Sequence, residues 1–462
     1  MIKCPNCTGE MNFDPQAQKV KCEYCGSVFD PKELQEKVKM SGEQKNITEE
    51  AGESIEGKSF TCSQCGAVLL TFDETAITFC SYCGSQAMIE SKMMKVNKPD
   101  FIIPFAKTKE DCIAAYKSKL KKAMFAPEYL KSDVILEKFR GIYIPYAIYK
   151  LEHKGEITNK GSKYSHRSGD YVYYDDYTIT ANIDASYEGI SYDLISKFYD
   201  KFSTAIPYNY KKKEEFNPNY LIGFYADAGD VDSTIYDSEV EKTIIPDTTK
   251  RLRTRREFSK YGCSTPTANI KVSERKIGMF PVYFLAIRNK DNKTVNYAVV
   301  NGQTGQVAAD LPISFSKYVI GSLLLSILIF ILVNSVFTLT PKVVAVFSIA
   351  AGILSLIITA VQATKINAHE SHTDDKGYVF VHKDTKTKKN NTFKYYIKEV
   401  IASLLPAIAL FMNFVNDAYY YGAAIISLVL VLLSFLDLVK EHNILVTNKL
   451  PQLEKRGGDE HE

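Results

Sequence analysis

Eight cysteines in four CxxC pairs constrain this chain more than any other feature. The first set is Cys4-Pro5-Asn6-Cys7 followed by Cys22-Glu23-Tyr24-Cys25. The second is Cys62-Ser63-Gln64-Cys65 followed by Cys80-Ser81-Tyr82-Cys83. Fourteen residues separate the pairs in both sets, so the two form an internal repeat. Zinc takes four thiolates in a tetrahedron at about 2.3 Å, and two residues between cysteines let one tight turn supply two of them. Gly26, Gly66 and Gly84 follow three of the pairs and can take the positive φ that such a knuckle needs. The insert suits a hairpin: Met11–Phe13 with Lys19–Lys21 in one copy, Val68–Phe72 with Ala76–Phe79 in the other. A unit under about thirty residues cannot bury a core, so each ribbon depends on its metal. With all four positions cysteine, neither site keeps an open coordination position, and two structural Zn2+ are expected. A rubredoxin-like iron site would use the same ligands. Redox dithiols do not come as matched pairs of pairs, and disulfides suit small secreted chains. Cys112 and Cys263 stand alone and read as buried small hydrophobes.

Charge argues against a duplex-binding role for the ribbons. Residues 1–97 carry ten Lys against fourteen Asp or Glu, and each zinc with four thiolates adds two further negative charges. Phosphate neutralisation supplies most non-specific nucleic-acid affinity, so a binding face should be basic. Gly52-Glu53-Ser54-Ile55-Glu56-Gly57-Lys58-Ser59 fits GxxxxGK[ST] letter for letter. A P-loop needs an apolar strand before it and a helix after it. Here acidic residues precede it and a zinc knuckle follows, so the match is accidental.

From about Asn97 to Pro312 the pattern is mixed. Thr108–Met124 reads as an amphipathic helix capped by Thr108, with Cys112, Ala115, Tyr116 and Leu120 on one face. Gly141–Tyr149 reads as a buried strand. Tyr171–Tyr174 and Tyr177–Thr180 read as strands around an Asp175-Asp176 turn, and Tyr187–Phe202 as a helix. Phe280–Ala286 and Val295–Val300 form a hairpin, closed by the turn Asn301–Gly305. His153, His166 and the acids Asp170, Asp175, Asp176 and Asp184 make no catalytic constellation. Lys250, Arg251, Arg253, Arg255 and Arg256 form the sharpest basic run. It reads as a solvated helix face, with anionic lipid headgroups the next partner and nucleic acid the last.

Four apolar runs close the chain: Tyr318–Leu339, Val343–Ala363, Ile397–Val415 and Ala418–Leu436. Each suits about 30 Å of hydrocarbon; the third has Lys398 and Glu399 at its start and Pro406 inside. Seven lysines (365, 376, 383, 386, 388, 389 and 394) lie between the second and third runs, against one lysine in the loop before the second and none around Asn416-Asp417. The positive-inside rule puts that linker, both termini and the ribbons in the cytoplasm. Reduced cytosolic thiols agree with zinc.

The paired CPNC…CEYCG and CSQCG…CSYCG knuckles, Phe125-Ala126-Pro127 before Gly141-Ile142-Tyr143-Ile144-Pro145-Tyr146, and Asn301-Gly302-Gln303-Thr304-Gly305-Gln306 resemble a family of bacterial membrane proteins with double TFIIB-type zinc ribbons. The resemblance covers about the first 315 residues. Relatives often carry a tryptophan after the proline of that strand, whereas this chain has none. Some are labelled primosomal helicases, yet this chain lacks the motor. Others are encoded beside phage-shock and flotillin-like proteins, which implies a scaffold in envelope stress at a bacterial cell membrane.

The expected architecture is multidomain: two small β zinc ribbons, a soluble α+β domain and an all-α four-helix transmembrane region. Its divisions are 1–40 (first ribbon), 41–59 (acidic linker), 60–96 (second ribbon), 97–312 (cytosolic α+β domain), 318–363 (first transmembrane hairpin), 364–396 (lysine-rich loop), 397–438 (second hairpin) and 439–462 (tail). The expected function is a non-enzymatic, membrane-anchored adaptor that binds proteins at the inner leaflet. The rival is a membrane-tethered nucleic-acid-binding protein.

Overall fold

The computed structural model describes residues 3–41, 54–72, 76–253, 270–289, 294–336, 340–371 and 392–449. Arg255, Arg256, Cys263 and the lysines at 376, 383, 386, 388 and 389 lie outside these residues, as does the start of the GxxxxGK[ST] match.

The first ribbon is a separate three-stranded antiparallel sheet of β1 (Met11–Asp14), β2 (Lys19–Cys22) and β3 (Val28–Phe29), followed by α1 (Pro31–Ser41). Its hairpin has the expected strands, with Met11 opposite Cys22 and Phe13 opposite Val20.

The second ribbon is built differently from the sequence expectation. Strand β4 (Ser54–Cys62) takes in the last six residues of the supposed linker, and it pairs with both β5 (Val68–Thr71) and β6 (Met88–Asn97). Residues 76–79 form no strand; β4 takes the place given to them. The alternation Ile55, Gly57, Phe60 and Cys62 buries one face of β4, a period-two signal within a segment that reads as acidic. Gly57 and Lys58 are strand residues, which removes any P-loop geometry.

These strands belong to a twelve-stranded mixed sheet. The further strands along its main path are β7 (Phe101–Ile102), β8 (Arg140–Ser168), β10 (Glu214–Glu215), β11 (Tyr225–Asp227) and β12 (Ile270–Arg288). Strand β9 (Tyr171–Asp193) pairs with β8, β13 (Thr294–Asn301) with β12, and β14 (Val307–Ala309) with β13. Strand β8 is the spine. Ile142, Ile144 and Tyr146 face one hydrophobic cluster with the cysteines of the second ribbon. Tyr143 faces the other, with Cys4 and Cys22 of the first ribbon. Pro145 lies inside this strand where a donor would normally be needed. Its neighbour on one side changes from β11, at Ile142–Tyr143, to β9, which begins at Tyr146 opposite Asp193. The missing N–H therefore falls in the gap between two partners.

Two sequence expectations fail here. Asp175 and Asp176 are mid-strand, opposite Lys163 and Ser162, and the reversal lies at Gly169-Asp170, where Gly169 takes φ +58°. Tyr187–Asp193 belongs to β9; the only helical turn in 187–202 is at the start of α4 (Asp200–Ser203). The turn lies in a two-stranded ribbon exposed on both faces beyond about Lys154, so no buried stripe marks it. Tyr187–Asp193 lies at the base, opposite Tyr146–Leu151, where a register shift beside Gly189 leaves Tyr187 and Ile190, three residues apart, packed on one cluster, a spacing that a helix face would also show.

Helix α2 (Lys109–Lys122) matches the expectation. Thr108 Oγ1 accepts from Asp111 N (3.2 Å), and the Asp111 carboxylate accepts from Thr108 N (3.1 Å), a capping box. Cys112, Tyr116 and Leu120 are buried, and burial pushes the Cys112 thiol up to about 12. Helices α3 (Asp133–Leu136) and α5 (Asp237–Arg253) complete the domain.

The carboxyl-terminal helices are α6 (Phe315–Val336), α7 (Pro341–Ser371), α8 (Thr392–Met412) and α9 (Ala418–Leu445), followed by β15 (Asn448–Lys449). Three of them hold segments long and apolar enough to cross a membrane: 315–336, 341–362 and 418–444. Helix α8, the third expected span, forms but is not among these three. Its early residues include Lys398 and Glu399. Helices α7, α8 and α9 pack on one another. The α6 side chains at 323–332 face outward.

Candidate metal centres

Each cysteine set converges into a cluster. In the first, Cys4 and Cys25 Sγ atoms are 3.6 Å apart and those of Cys7 and Cys22 are 3.5 Å apart. In the second, Cys62–Cys83 and Cys65–Cys80 are both separated by 3.6 Å. Within each cluster all four sulfurs lie within 4.8 Å of one another. Disulfide sulfurs sit at about 2.05 Å. A tetrahedron of thiolates at about 2.3 Å from one ion has edges of roughly 3.8 Å, which is the spacing seen here. Both groups could hold a metal ion, and four soft thiolates with no water-accessible fifth ligand suit zinc or iron in a structural role.

The backbone explains why the loops turn so tightly. The amides of Gly26, Gly66 and Gly84 donate to the carbonyls of Cys22, Cys62 and Cys80, and the three glycines take φ of +74°, +71° and +65°. The fourth knuckle has Thr8 in this place at φ +58°, with its amide donating to Cys4 O. The crowded thiols compete for protons. Cys65 holds Cys62 below its ordinary range, while Cys62 pushes Cys65 and Cys80 above theirs. The Ser27 hydroxyl beside Cys25 draws its thiol down to about 6. Four such thiols ionise together only when a cation supplies opposing charge.

Surroundings distinguish the clusters. All four cysteines of the second are buried, whereas in the first Cys7 is half-buried and Cys25 exposed. The equivalent tyrosines diverge most. Tyr24 is 86% exposed; Tyr82 is 0% exposed, packs edge-on against Phe284 at 5.2 Å and donates to Asp227 Oδ2 at 2.9 Å. Burial and the adjacent carboxylate raise the Tyr82 phenol well above its usual range. Arg288 Nε donates to Cys83 O (2.9 Å), and its other nitrogen reaches Gln64. A guanidinium therefore backs the second cluster's negative charge. The first ribbon docks through its hairpin: Phe13 N donates to Ile222 O (3.2 Å), Phe13 meets the Tyr220 ring at 5.2 Å, and Gln18 Nε2 donates to Phe105 O (2.7 Å).

The elements carrying the family resemblance have structural roles. Phe125 meets Tyr318 at the start of α6 (ring centroids 5.4 Å), its carbonyl accepts from Ser314 N, and Ala126 O accepts from Lys317. Asn301 folds the turn after β13, accepting from Gln303 N and Thr304 N and donating to the carbonyls of Ile206 and Pro207.

The other sequence candidates do not converge on a site. His153 is buried near Thr248, and His166 stacks on Tyr173 at the exposed end of the ribbon. Lys250 and Arg251 are exposed, and Arg251 pairs with Asp247 at 2.7 Å; the side chain of Arg253, like Arg255 and Arg256, lies outside the described part of the chain. A cleft of about 690 Å³ lies where the domain meets the helices, lined by Tyr129, Asn289, Ile313, Asp437 and Asn443 among others. Its one acid, Asp437, pairs with Lys398. Asp227, Arg288 and a buried glutamate among the helices were not foreseen. Only the last had a sequence signal, because Ser355 and Thr359 are spaced one helical turn apart within an apolar run.

Fold and clusters together define a chain with two four-cysteine centres, a mixed sheet and three helices of membrane-crossing length. A relative from Bacillus subtilis (strain 168), uncharacterized protein YdjG, is 26% identical over 331 residues, covering 68% of this chain and 91% of that protein. No family model matches the chain, and no solved structure matches it.

Proposed function

We propose that this protein is a multi-pass membrane adaptor of the TFIIB-type double zinc-ribbon kind that it resembles. Each Cys4 centre holds one structural Zn2+, and the first ribbon docks other proteins at the cytoplasmic face; no reaction is catalysed. The observation that carries the docking role is the contrast between equivalent knuckle tyrosines. Tyr82 is used inside the molecule, whereas Tyr24 and the nearby Val28 present apolar surface to solvent beside an exposed metal centre. Exposed aromatics at the rim of a rigid knuckle are typical binding anchors. The negative balance of residues 1–97 disfavours phosphate backbones as the partner.

Four crossings are part of this reading. The chain leaves the sheet at β14 and returns to it at β15, where Val295 pairs with Asn448 and Thr294 with Lys449. Asn443 also holds Ile313 through both of its amide atoms, at 2.7 and 2.9 Å. Start and finish on one side require an even number of crossings. With α6, α7 and α9 long enough, that parity favours α8 as the fourth crossing. The lysine-rich linker supports a cytoplasmic location for that side.

The test is a pull-down from detergent-solubilised membranes with wild type, Tyr24→Ser and Cys62→Ser/Cys65→Ser, quantifying bound protein and nucleic acid. The adaptor reading expects specific proteins with wild type and their loss with Tyr24→Ser, while the variant still inserts. Retention of the same proteins by Tyr24→Ser sinks the knuckle as the docking point. Salt-sensitive nucleic acid dominating the eluate favours the rival, with Lys250 and Arg251 as its first suspects.

A further inference from the structure

Helices α7, α8 and α9 enclose one carboxylate. Glu399, on α8, is 0% exposed. Its Oε1 accepts three hydroxyls from the two neighbouring helices: Ser355 at 2.9 Å and Thr359 from α7, and Ser434 at 2.7 Å from α9. Its Oε2 is buried and has no hydrogen-bonding partner among the described residues. The adjacent Lys398 pairs with Asp437 of α9, so that lysine and that acid balance each other. Helix α7 carries no charged residue between Lys342 and Lys365, and α9 carries none before Asp437. Glu399 is therefore a buried acid whose partners are hydroxyls, and among the described residues no cation is paired with it.

Such a group is costly to leave ionised away from water unless a counter-charge is supplied. Three hydroxyl donors concentrated on one oxygen leave the other to receive a positive charge, and the hydroxyl oxygens keep lone pairs free for a small cation. Acids placed between membrane helices commonly serve ion binding for this reason. We propose that Glu399 binds one exchangeable monovalent cation, a proton or Na+, at Oε2, with Ser355, Thr359 and Ser434 completing the oxygen shell. Its occupancy joins three helices: filled, the group is neutral and the bundle closed; emptied, a bare carboxylate must draw in water. The inference rests on the membrane-embedded reading of these helices for the absence of bulk water around them. Failure of that reading would show separately, as protein recovered from the soluble fraction without detergent.

The experiment treats the full-length protein in lipid nanodiscs with dicyclohexylcarbodiimide, an apolar reagent that modifies protonated carboxyls in apolar surroundings, and maps the adduct by mass spectrometry. Glu399 should be modified, the adduct should vanish in Glu399→Gln, and modification should fall as pH rises. The glutamine keeps an acceptor for the three hydroxyls and is expected to fold. Protection by Na+ against choline at equal ionic strength identifies the alkali ion as occupant; pH dependence without such protection identifies the proton. The protonated-carboxyl C=O band in infrared difference spectra of wild type against Glu399→Gln covers the case of blocked reagent access. No adduct, together with no such band at any pH and no Na+-dependent change in the carboxylate bands, overturns the proposal.

Discussion

The two ribbons share their spacing, their glycine turns and their sulfur geometry, yet they stand in different relations to the rest of the molecule. The first keeps its own three-stranded sheet and packs beside the domain, through its hairpin and through Pro31, whose carbonyl accepts from Asn217 and Asn219. The second has given its strands to the large sheet, and its four cysteines lie in the same hydrophobic cluster as Ile142, Phe280 and Phe284. A four-cysteine cluster can thus keep its own sheet and lean on a neighbouring domain, or lend its strands to that domain's sheet, with the same ligand spacing. The difference lies in the side chains around the ligands: Tyr82 meets Asp227 and Phe284, whereas Tyr24 meets solvent.

The largest expected effect comes from breaking each centre in turn. Structural zinc in small ribbons is worth roughly 10–16 kcal/mol of folding free energy. Cys80→Ser should therefore disorganise the whole sheet domain, read as loss of its cooperative thermal transition. Cys4→Ser should release only about the first forty residues to protease. Equal damage from both variants breaks the comparison. Next in size, a chelator should remove one metal quickly from the exposed first centre and the other slowly, on a scale set by opening of the domain. Metal analysis over time checks this, and a single rate for both contradicts it.

The tyrosines sharpen the contrast further. Tyr82→Phe deprives the buried Asp227 carboxylate of a donor and should cost about 1–3 kcal/mol. Tyr24→Phe should fall within about 0.5 kcal/mol of wild type. Denaturant melts of both variants decide it. A smaller effect is expected at Thr8, the one knuckle position where a β-branched residue holds the conformation that glycine holds in the other three. Thr8→Gly should stabilise the first ribbon by roughly 1 kcal/mol through relief of that strain; slower chelator release from the first centre is the readout, and no change or faster release counts against it. Smallest is the capping box of α2. Thr108→Ala should cost about 1 kcal/mol or less. Its backbone hydrogen bond from Thr108 holds the Asp111 carboxyl below its usual range. That contribution is present above the unfolded-state value and is lost as pH falls through the lower folded one. In a pH series of melts the gap between wild type and Asp111→Ala should be full near neutral pH and should close as the pH falls through that range.

Legibility followed local chemistry. The eight cysteines, the hairpin of the first ribbon, α2 with its Thr108 box, and the β12–β13 hairpin were readable because spacing, capping and alternation specify them without reference to distant residues. The failures were long-range. Nothing in Ser54–Cys62 announces that β5 and β6 flank it, and the acids around it suggested a linker. The ribbon of β8 and β9 presents both faces to solvent beyond its base, so its polar, tyrosine-rich sequence gives no stripe from which to read strand length or turn position. In α8 the charges at 398 and 399 looked like one boundary. The packing separates them, Lys398 to Asp437 at the rim and Glu399 inward to three hydroxyls.

The short pairing of β15 with β13 has a consequence for how the molecule is made. The chain leaves the sheet through α6 and rejoins it only after α9, so the membrane helices are a loop tied at both ends to one frame. During synthesis Thr294 and Val295 can meet their β15 partners only after the last helix has emerged and turned back. If the four helices cross as proposed, the final stitch of the sheet is a register of completed insertion: a chain whose helices enter in an odd number delivers Asn448 to the opposite side of the bilayer, and the seam stays open.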